Sequence, residues 1–364
     1  MITVRRCILV LLALAAAYSQ TTVNNRPALV LETGSAKLVI DLGGGSISDF
    51  HLAGHPVNPL TWDSKGDAAS PRPMGHFLCL DRWGQPSAAE QRNGMPFHGE
   101  ASRVAWRVVN QPSMQGDKQT AEMFASLPLA GLDVTRRIRL STDAAFFVVT
   151  ESVTNRNKLG RIYNMVQHPS IAPPFLDERT LVDANAKQGF MQSSPLPNPE
   201  QPTVEWPHAL NNGQRADLRR LADDPAPNVV SYTIDEEHGW VTASSVSGGV
   251  LIGYIWRTSD YPWFNAWRHT DNGRPAARGL EFGTTGLHQP FAILVKKGRI
   301  FDRPLYAYVD AGQTETRSYA CFLFRIPEDY RGVERVVYAD GRLQLYEQVG
   351  SRELSMNVGD LFAK

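Results

Sequence analysis

Glu281, His168 and His98 are the residues of this chain whose types and settings suit proton transfer. Glu281 stands between Leu280 and Phe282 in Gly279-Leu280-Glu281-Phe282-Gly283-Thr284-Thr285-Gly286, where apolar surroundings would raise its pKa and make it a base near neutrality. His168 precedes Pro169, and the proline biases it to an extended conformation that aims its ring across a sheet face. His98 lies in Asn93-Gly94-Met95-Pro96-Phe97-His98-Gly99-Glu100, on a loop whose turn can hold the ring toward a cavity. Each has a plainer alternative: a solvent-facing glutamate, a histidine capping a sheet edge, a turn histidine bonded to backbone. The combination carries the functional reading.

Around Glu281 the stretch Tyr254 to Phe291 also packs Trp256, Trp263, Trp267, Arg268 and His269. Flat apolar rings with a few polar groups on one side line small-ligand pockets. Taken singly, each tryptophan fits the core or rim of a large β domain equally well. Trp263, Trp267, Arg268 and His269 are therefore candidates for substrate contact, and chemistry is expected elsewhere.

Such side chains need a scaffold, and the chain reads as strand after strand. Residues 28–32, 37–41 and 46–51 are β-favourable runs separated by Thr33-Gly34-Ser35 and Gly43-Gly44-Gly45, which is turn chemistry. Residues 104–109, 120–127, 132–140 and 146–153 continue it. In the third of these, Leu132, Val134, Arg136, Ile138 and Leu140 alternate with Asp133, Thr135, Arg137 and Arg139, the mark of a half-buried antiparallel strand. Prolines crowd 169–227, and since proline removes ladder donors this is expected to be loop over a binding face, broken by short strands. A short helix is expected over 217–222. Strands resume at 229–235 and 240–245, then at 292–295, 305–310, 316–326, 335–338 and 343–346. No long amphipathic helix appears, which excludes a parallel α/β sheet and predicts a large antiparallel sandwich.

Thirty-seven Lys+Arg balance thirty-seven Asp+Glu in 364 residues, without a basic stripe, so nucleic acid and anionic membranes are not expected partners. A basic start, the apolar run Cys7 to Ala17 and the small residues that follow read as a secretory signal over 1–20, leaving 21–364 as one β domain in a periplasm or outside the cell. No later segment reads as a membrane span. Cys79 and Cys321 remain in the exported chain; both sit in apolar, strand-like runs, where buried free thiols are the commoner outcome, although an oxidising compartment would permit a bridge.

Several motifs together resemble the galactose mutarotase-like superfamily, the aldose 1-epimerases and hexose-phosphate epimerases. They are Ala36 to Gly45 with Asn58-Pro59-Leu60-Thr61-Trp62, then His98-Gly99 with Arg103 and Trp106, then Asn155 leading to His168-Pro169, and finally Glu281. The resemblance implies an all-β supersandwich of large twisted antiparallel sheets with few short helices. It further implies Glu281 as the base on the anomeric hydroxyl, His168 as the acid at the ring oxygen, and His98 and Arg82 as substrate contacts. Neither metal nor nucleotide cofactor is needed. Acid and base are expected on opposite sides of one small ring. The function expected is an exported aldose 1-epimerase-type isomerase; the alternative is a carbohydrate-binding protein of the same fold without turnover. An accessory domain of a polysaccharide lyase or hydrolase ranks behind both.

Overall fold

The computed structural model describes residues 21–67, 69–221 and 223–363, so the expected secretory signal lies outside the described residues. Two large antiparallel sheets dominate. Across the first, the strands run Thr22–Val23, Arg26–Glu32, Ala36–Asp41, Ser46–Leu52, His76–Asp81, Arg161–Ile171, Arg274–Gly283, Trp263–Asp271, Val229–Ile234, Ala186–Met191, Val204–Glu205. The second runs Leu181–Ala184, His238–Ser245, Val250–Arg257, Thr314–Arg325, Phe146–Asn155, Leu132–Ser141, Lys118–Leu127, Arg107–Gln115. This is the expected all-β, antiparallel architecture.

One apolar core joins the inward faces of the two sheets. Leu78, Leu80, Tyr232, Phe264, Leu280 and Phe282 of the first pack with Val134, Ile138, Phe147, Val149, Ile252 and Leu323 of the second. Strand pairing dictates this, because side chains alternate and one face of each strand must leave water. In Leu132–Ser141, Leu132, Val134, Arg136, Ile138 and Leu140 are buried, as the alternation requires. The charged member is neutralised: Arg136 Nη2 lies 2.6 Å from Glu151, and its guanidinium covers the Trp106 ring at 4.6 Å.

Glu151 continues into a polar chain through the core. Gln167 donates from Nε2 to Glu151 Oε2 at 2.6 Å and its Oε1 meets His76 Nε2 at 3.1 Å. Unpaired buried polar groups cost far more than paired ones, so the chain pins Arg161–Ile171 to the neighbouring strand His76–Asp81 and, across the core, to Phe146–Asn155 of the second sheet. Gln167 points inward, and His168 must therefore point out of the opposite face.

The proline-rich 169–227 region contributes strands to both sheets and a hairpin of its own, His208–Asn211 with Gln214–Asp217. The helix expected over 217–222 is absent from its described part: Asp217 ends the hairpin and 218–219 form a turn. The strand expected at 292–295 is instead the helix Phe291–Lys297. Short apolar runs do not declare their period, and here the ends decide. Pro290 precedes the helix and Gly298, at φ 74°, stops it. Cys79 and Cys321 are both buried and free.

A third sheet, Val333–Ala339, Arg342–Glu347 and Glu353–Asn357, covers the outer face of the second. Val336, Leu343, Leu345, Leu361 and Phe362 pack there against Phe146, Trp240, Leu251 and Phe322.

Candidate functional site

The first sheet brings the three distant motifs together by register. Phe77 pairs with His168. Gln167 pairs with Phe282 and Ser170 with Gly279, which sets His168 opposite Glu281. Glu281 pairs in turn with Asn265. Since Leu78, Gln167, Phe282 and Phe264 point into the sandwich, the row Phe77, His168, Glu281, Asn265 lies on the face turned away from the second sheet.

On that face is a cavity of about 370 Å³, at the small end of ligand pockets. Phe77, Trp83, His98, His168, Trp267, Glu281 and His288 line it, with Trp62 and Phe97 beside them. Pro73, Ser64, Ser102, Arg103, Asn228 and Val229 complete the wall.

His168 Nε2 is 3.1 Å from Glu281 Oε1. The other carboxylate oxygen accepts the indole N–H of Trp83 at 2.7 Å. His168 Nδ1 meets Ser170 Oγ at 3.0 Å, and its ring stacks on Phe77 with centroids 4.2 Å apart. Burial drives both members toward their neutral forms, raising the Glu281 carboxyl well above its ordinary value against the Trp83 hydrogen bond, and lowering His168. Glu281 and His168 thus face each other within reach of proton transfer, both held toward their neutral forms. His168 and Glu281, the residues expected as acid and base, are immediate neighbours. The reason is strand geometry: they face each other across one antiparallel pair.

Glycine makes the space for this pair. A Cβ on Gly279 would lie 2.7 Å from Glu281 Oε1 and 2.9 Å from Trp267 Cβ, so only glycine admits both side chains.

His98 occupies the left-handed region at φ 66°, uncommon outside glycine. It is held there by Gly84: the His98 N–H donates to Gly84 O and the Gly84 N–H donates to His98 Nδ1, both at 3.1 Å. A neutral His98 therefore carries its proton on Nε2. Burial, then His168, His288 and Arg103, hold its pKa well below the ordinary value. The turn histidine and the cavity histidine are one and the same residue.

The other residues proposed from sequence are placed differently. Trp267 lines the cavity, its ring 5.7 Å from that of His168. Trp263 lies on the same strand face as Trp267 but outside the cavity lining, fully buried under the helix Phe291–Lys297, donating to Pro304 O at 2.8 Å and packing with Phe190 and Leu294. Trp256 is likewise interior, stacked on Phe282 at 4.2 Å. Arg268 is buried outside the cavity lining, donating to the carbonyls of Asp224, Pro225 and Ala226. His269 is exposed beyond the mouth, parallel to Trp267 at 6.0 Å. Arg82 also lies outside the lining: it pairs with Asp81 at 2.5 Å and Glu90 at 2.8 Å and covers the Phe291 ring. Period-two alternation explains half of this, since Trp267 and Arg268 must face opposite ways; carboxylates within reach explain Arg82.

Phe77, Trp83, Phe97 and His288 line the cavity without having been singled out. Trp83 directly follows Arg82, and one step along the chain exchanges a structural ion pair for a contact to Glu281. His288 precedes Gln289-Pro290, a setting close to that of His168, and this was the signal available for it. Among the described residues, no group of three or more His, Cys, Asp and Glu is arranged to hold a metal ion, and no helix is long and apolar enough to cross a membrane.

No family model and no curated protein sequence matches this chain. Solved structures do. An aldose 1-epimerase described as putative, from Escherichia coli K12, is 17% identical with a TM-score of 0.57, the match covering 82% of this chain and 99% of that one. A galactose mutarotase-like protein from Clostridium acetobutylicum gives a TM-score of 0.61 at 12% identity, covering 83% and 96%. A galactose mutarotase related enzyme from Lactobacillus acidophilus gives 0.58 at 14%, covering 83% and 98%. At such identities the likeness establishes the fold alone: this chain folds as these aldose 1-epimerase and galactose mutarotase-like structures do.

Proposed function

We propose that this protein is a carbohydrate-active isomerase of the aldose 1-epimerase type, interconverting sugar anomers by opening and reclosing the ring. The observation that carries the reading is the 3.1 Å contact between His168 Nε2 and Glu281 Oε1 on the wall of a sugar-sized, ring-lined cavity. The anomeric hydroxyl and the ring oxygen of an aldose hang on the same carbon, so a base for one and an acid for the other need to be only a few ångströms apart. In the charge-separated form of the pair, Glu281 takes the hydroxyl proton while His168 delivers its Nε2 proton to the ring oxygen. The C–O bond of the ring breaks, giving the open-chain aldehyde. Rotation about the adjacent C–C bond and reversal of both transfers close the ring on either face, and no net proton is consumed.

The apolar rings of Phe77, Trp267 and Trp62 offer faces to the C–H sides of a pyranose, and the balanced charge of the chain suits a free sugar. The basic start and apolar run of residues 1–17 support export, and with it extracellular or periplasmic sugars as the pool.

A second reading is a binding protein without turnover. It is favoured by Glu281 and His168 engaging each other, since a ligand must part or bridge them. Exchange between α and β anomers, followed by polarimetry or NMR on glucose, galactose, xylose and arabinose, separates the two. Acceleration that disappears in Glu281→Gln and His168→Ala supports the isomerase. Calorimetric sugar binding that those substitutions leave unchanged, without acceleration by the parent protein, supports the binder.

A further inference from the structure

The acid–base pair leaves a third cavity histidine unused. The His288 ring lies 5.5 Å from that of His98 and 4.6 Å, edge to face, from Trp83, the residue that holds Glu281. Its position is built from two directions. At Gly84 (φ +95°) a Cβ would sit 2.7 Å from His288 Cδ2, so the glycine whose N–H orients His98 also leaves the room that His288 fills. From the other side Gln192 accepts the His288 backbone N–H at 3.0 Å and donates to Gly286 O and Ser231 Oγ, both at 2.7 Å. The loop ahead of the helix Phe291–Lys297 is thereby tied to the edge of Ala186–Met191. Burial holds the ring neutral, its pKa lowered to about 4. No described residue hydrogen-bonds either of its ring nitrogens, while its backbone N–H is held by Gln192.

We propose that His288 is a specificity-determining residue which, with His98, reads one hydroxyl group of the sugar. The inference rests on the carbohydrate reading above. His98 accepts from Gly84 at Nδ1 and so presents a donor, Nε2–H. A neutral His288 ring has one bare nitrogen and presents an acceptor. A hydroxyl both accepts and donates through one oxygen, and it is the group that satisfies both rings; a carbonyl, a fluorine or a bare C–H does not. Sites built to pair a substrate hydroxyl reject analogues lacking it far more strongly than apolar pockets reject a change of size, because the buried polar groups are left unpaired. The ligand class that follows is a sugar with a free hydroxyl on the flank facing Trp83 and Phe97.

The test is a panel of glucose and galactose with their 2-, 3-, 4- and 6-deoxy and deoxyfluoro analogues, each assayed for anomer exchange with the parent protein and with His288→Phe. Phenylalanine keeps a ring over Gly84 and Trp83 and removes the nitrogens. The parent protein is expected to disfavour the deoxy and deoxyfluoro sugars at one position by about tenfold or more in kcat/KM. In His288→Phe that discrimination should fall to within about twofold, through KM, while the other positions keep theirs. A loss equal for every sugar marks packing alone and overturns the proposal, as does undiminished discrimination. If the parent protein accelerates no exchange, the isomerase reading fails, and the same panel is scored by calorimetric affinity with the same two outcomes. Absence of binding to every sugar overturns both.

Discussion

The indole of Trp83 donates to Glu281 Oε2 over 2.7 Å, closing a contact between residues 198 positions apart in the chain. It is the hydrogen bond that favours the charged form of a carboxyl which burial pushes the other way.

Replacing Trp83 by Phe keeps the ring and removes this donor. The Glu281 carboxyl should then rise further, because a bond to the ionised form has been lost. The acid limb of the rate profile for anomer exchange should move to higher pH, with about a tenfold loss at neutrality, in line with a hydrogen bond to a charged group. An unshifted acid limb would show that Trp83 serves packing alone.

Gly279→Ala places a methyl 2.7 Å from Glu281 Oε1 and 2.9 Å from Trp267 Cβ. One of the two side chains must move. Overpacking of this kind costs about 1–3 kcal/mol, so the substitution should lower stability modestly in urea titrations and weaken sugar binding by tenfold or more on the order expected for a displaced site residue. Full retention of binding would mean that Glu281 does not touch the ligand.

Stability should depend on pH in two opposite ways. His288 is lowered to about 4 from 6.5, and His98 and His168 are lowered too. Between these values the unfolded chain binds more protons than the folded one, so this stability is present above 6.5 and is lost as pH falls toward about 4. Glu281 is raised from 4.5; the folded chain then holds the extra proton, and stability falls as pH rises from 4.5 through the raised value. Thermal melts should show a weaker dependence below pH 6.5 in His288→Asn and a weaker dependence above pH 4.5 in Glu281→Gln. Parallel curves for parent and variants would refute the assignment.

Leu345 is fully buried where the third sheet covers the second. Leu345→Ala should cost about 2–5 kcal/mol in denaturant unfolding and leave sugar affinity unchanged, because the cavity lies on the far sheet. A change in affinity would show that this cover influences the site.

How much of this was legible beforehand follows from what each feature depends on. Strand positions such as Leu132–Ser141 were readable because side-chain alternation is local, and Arg136 even declared itself on the buried side. The helix Phe291–Lys297 does not declare itself locally, because Ile293-Leu294-Val295 is too short to show a period and its bounds, Pro290 and Gly298, are what decide. The resemblance alone put Arg82 forward as a substrate contact, and nothing local reveals that Asp81 and Glu90 close on it, while Trp83 beside it gave no sign of reaching Glu281.

By itself the sequence determined an antiparallel β protein and singled out His98, His168 and Glu281 as candidates for proton transfer, since composition, alternation and side-chain chemistry travel with the residues. The tertiary structure alone decided that His168 and Glu281 touch, that Trp267 lines the cavity while Trp263 on the same strand face is covered by the helix Phe291–Lys297, and that His288 joins them. The first of these rests on pairing register between strands more than a hundred residues apart, where a slip of one residue turns every side chain to the other face; the others rest on which strand faces and loops the helix Phe291–Lys297 and its approach cover.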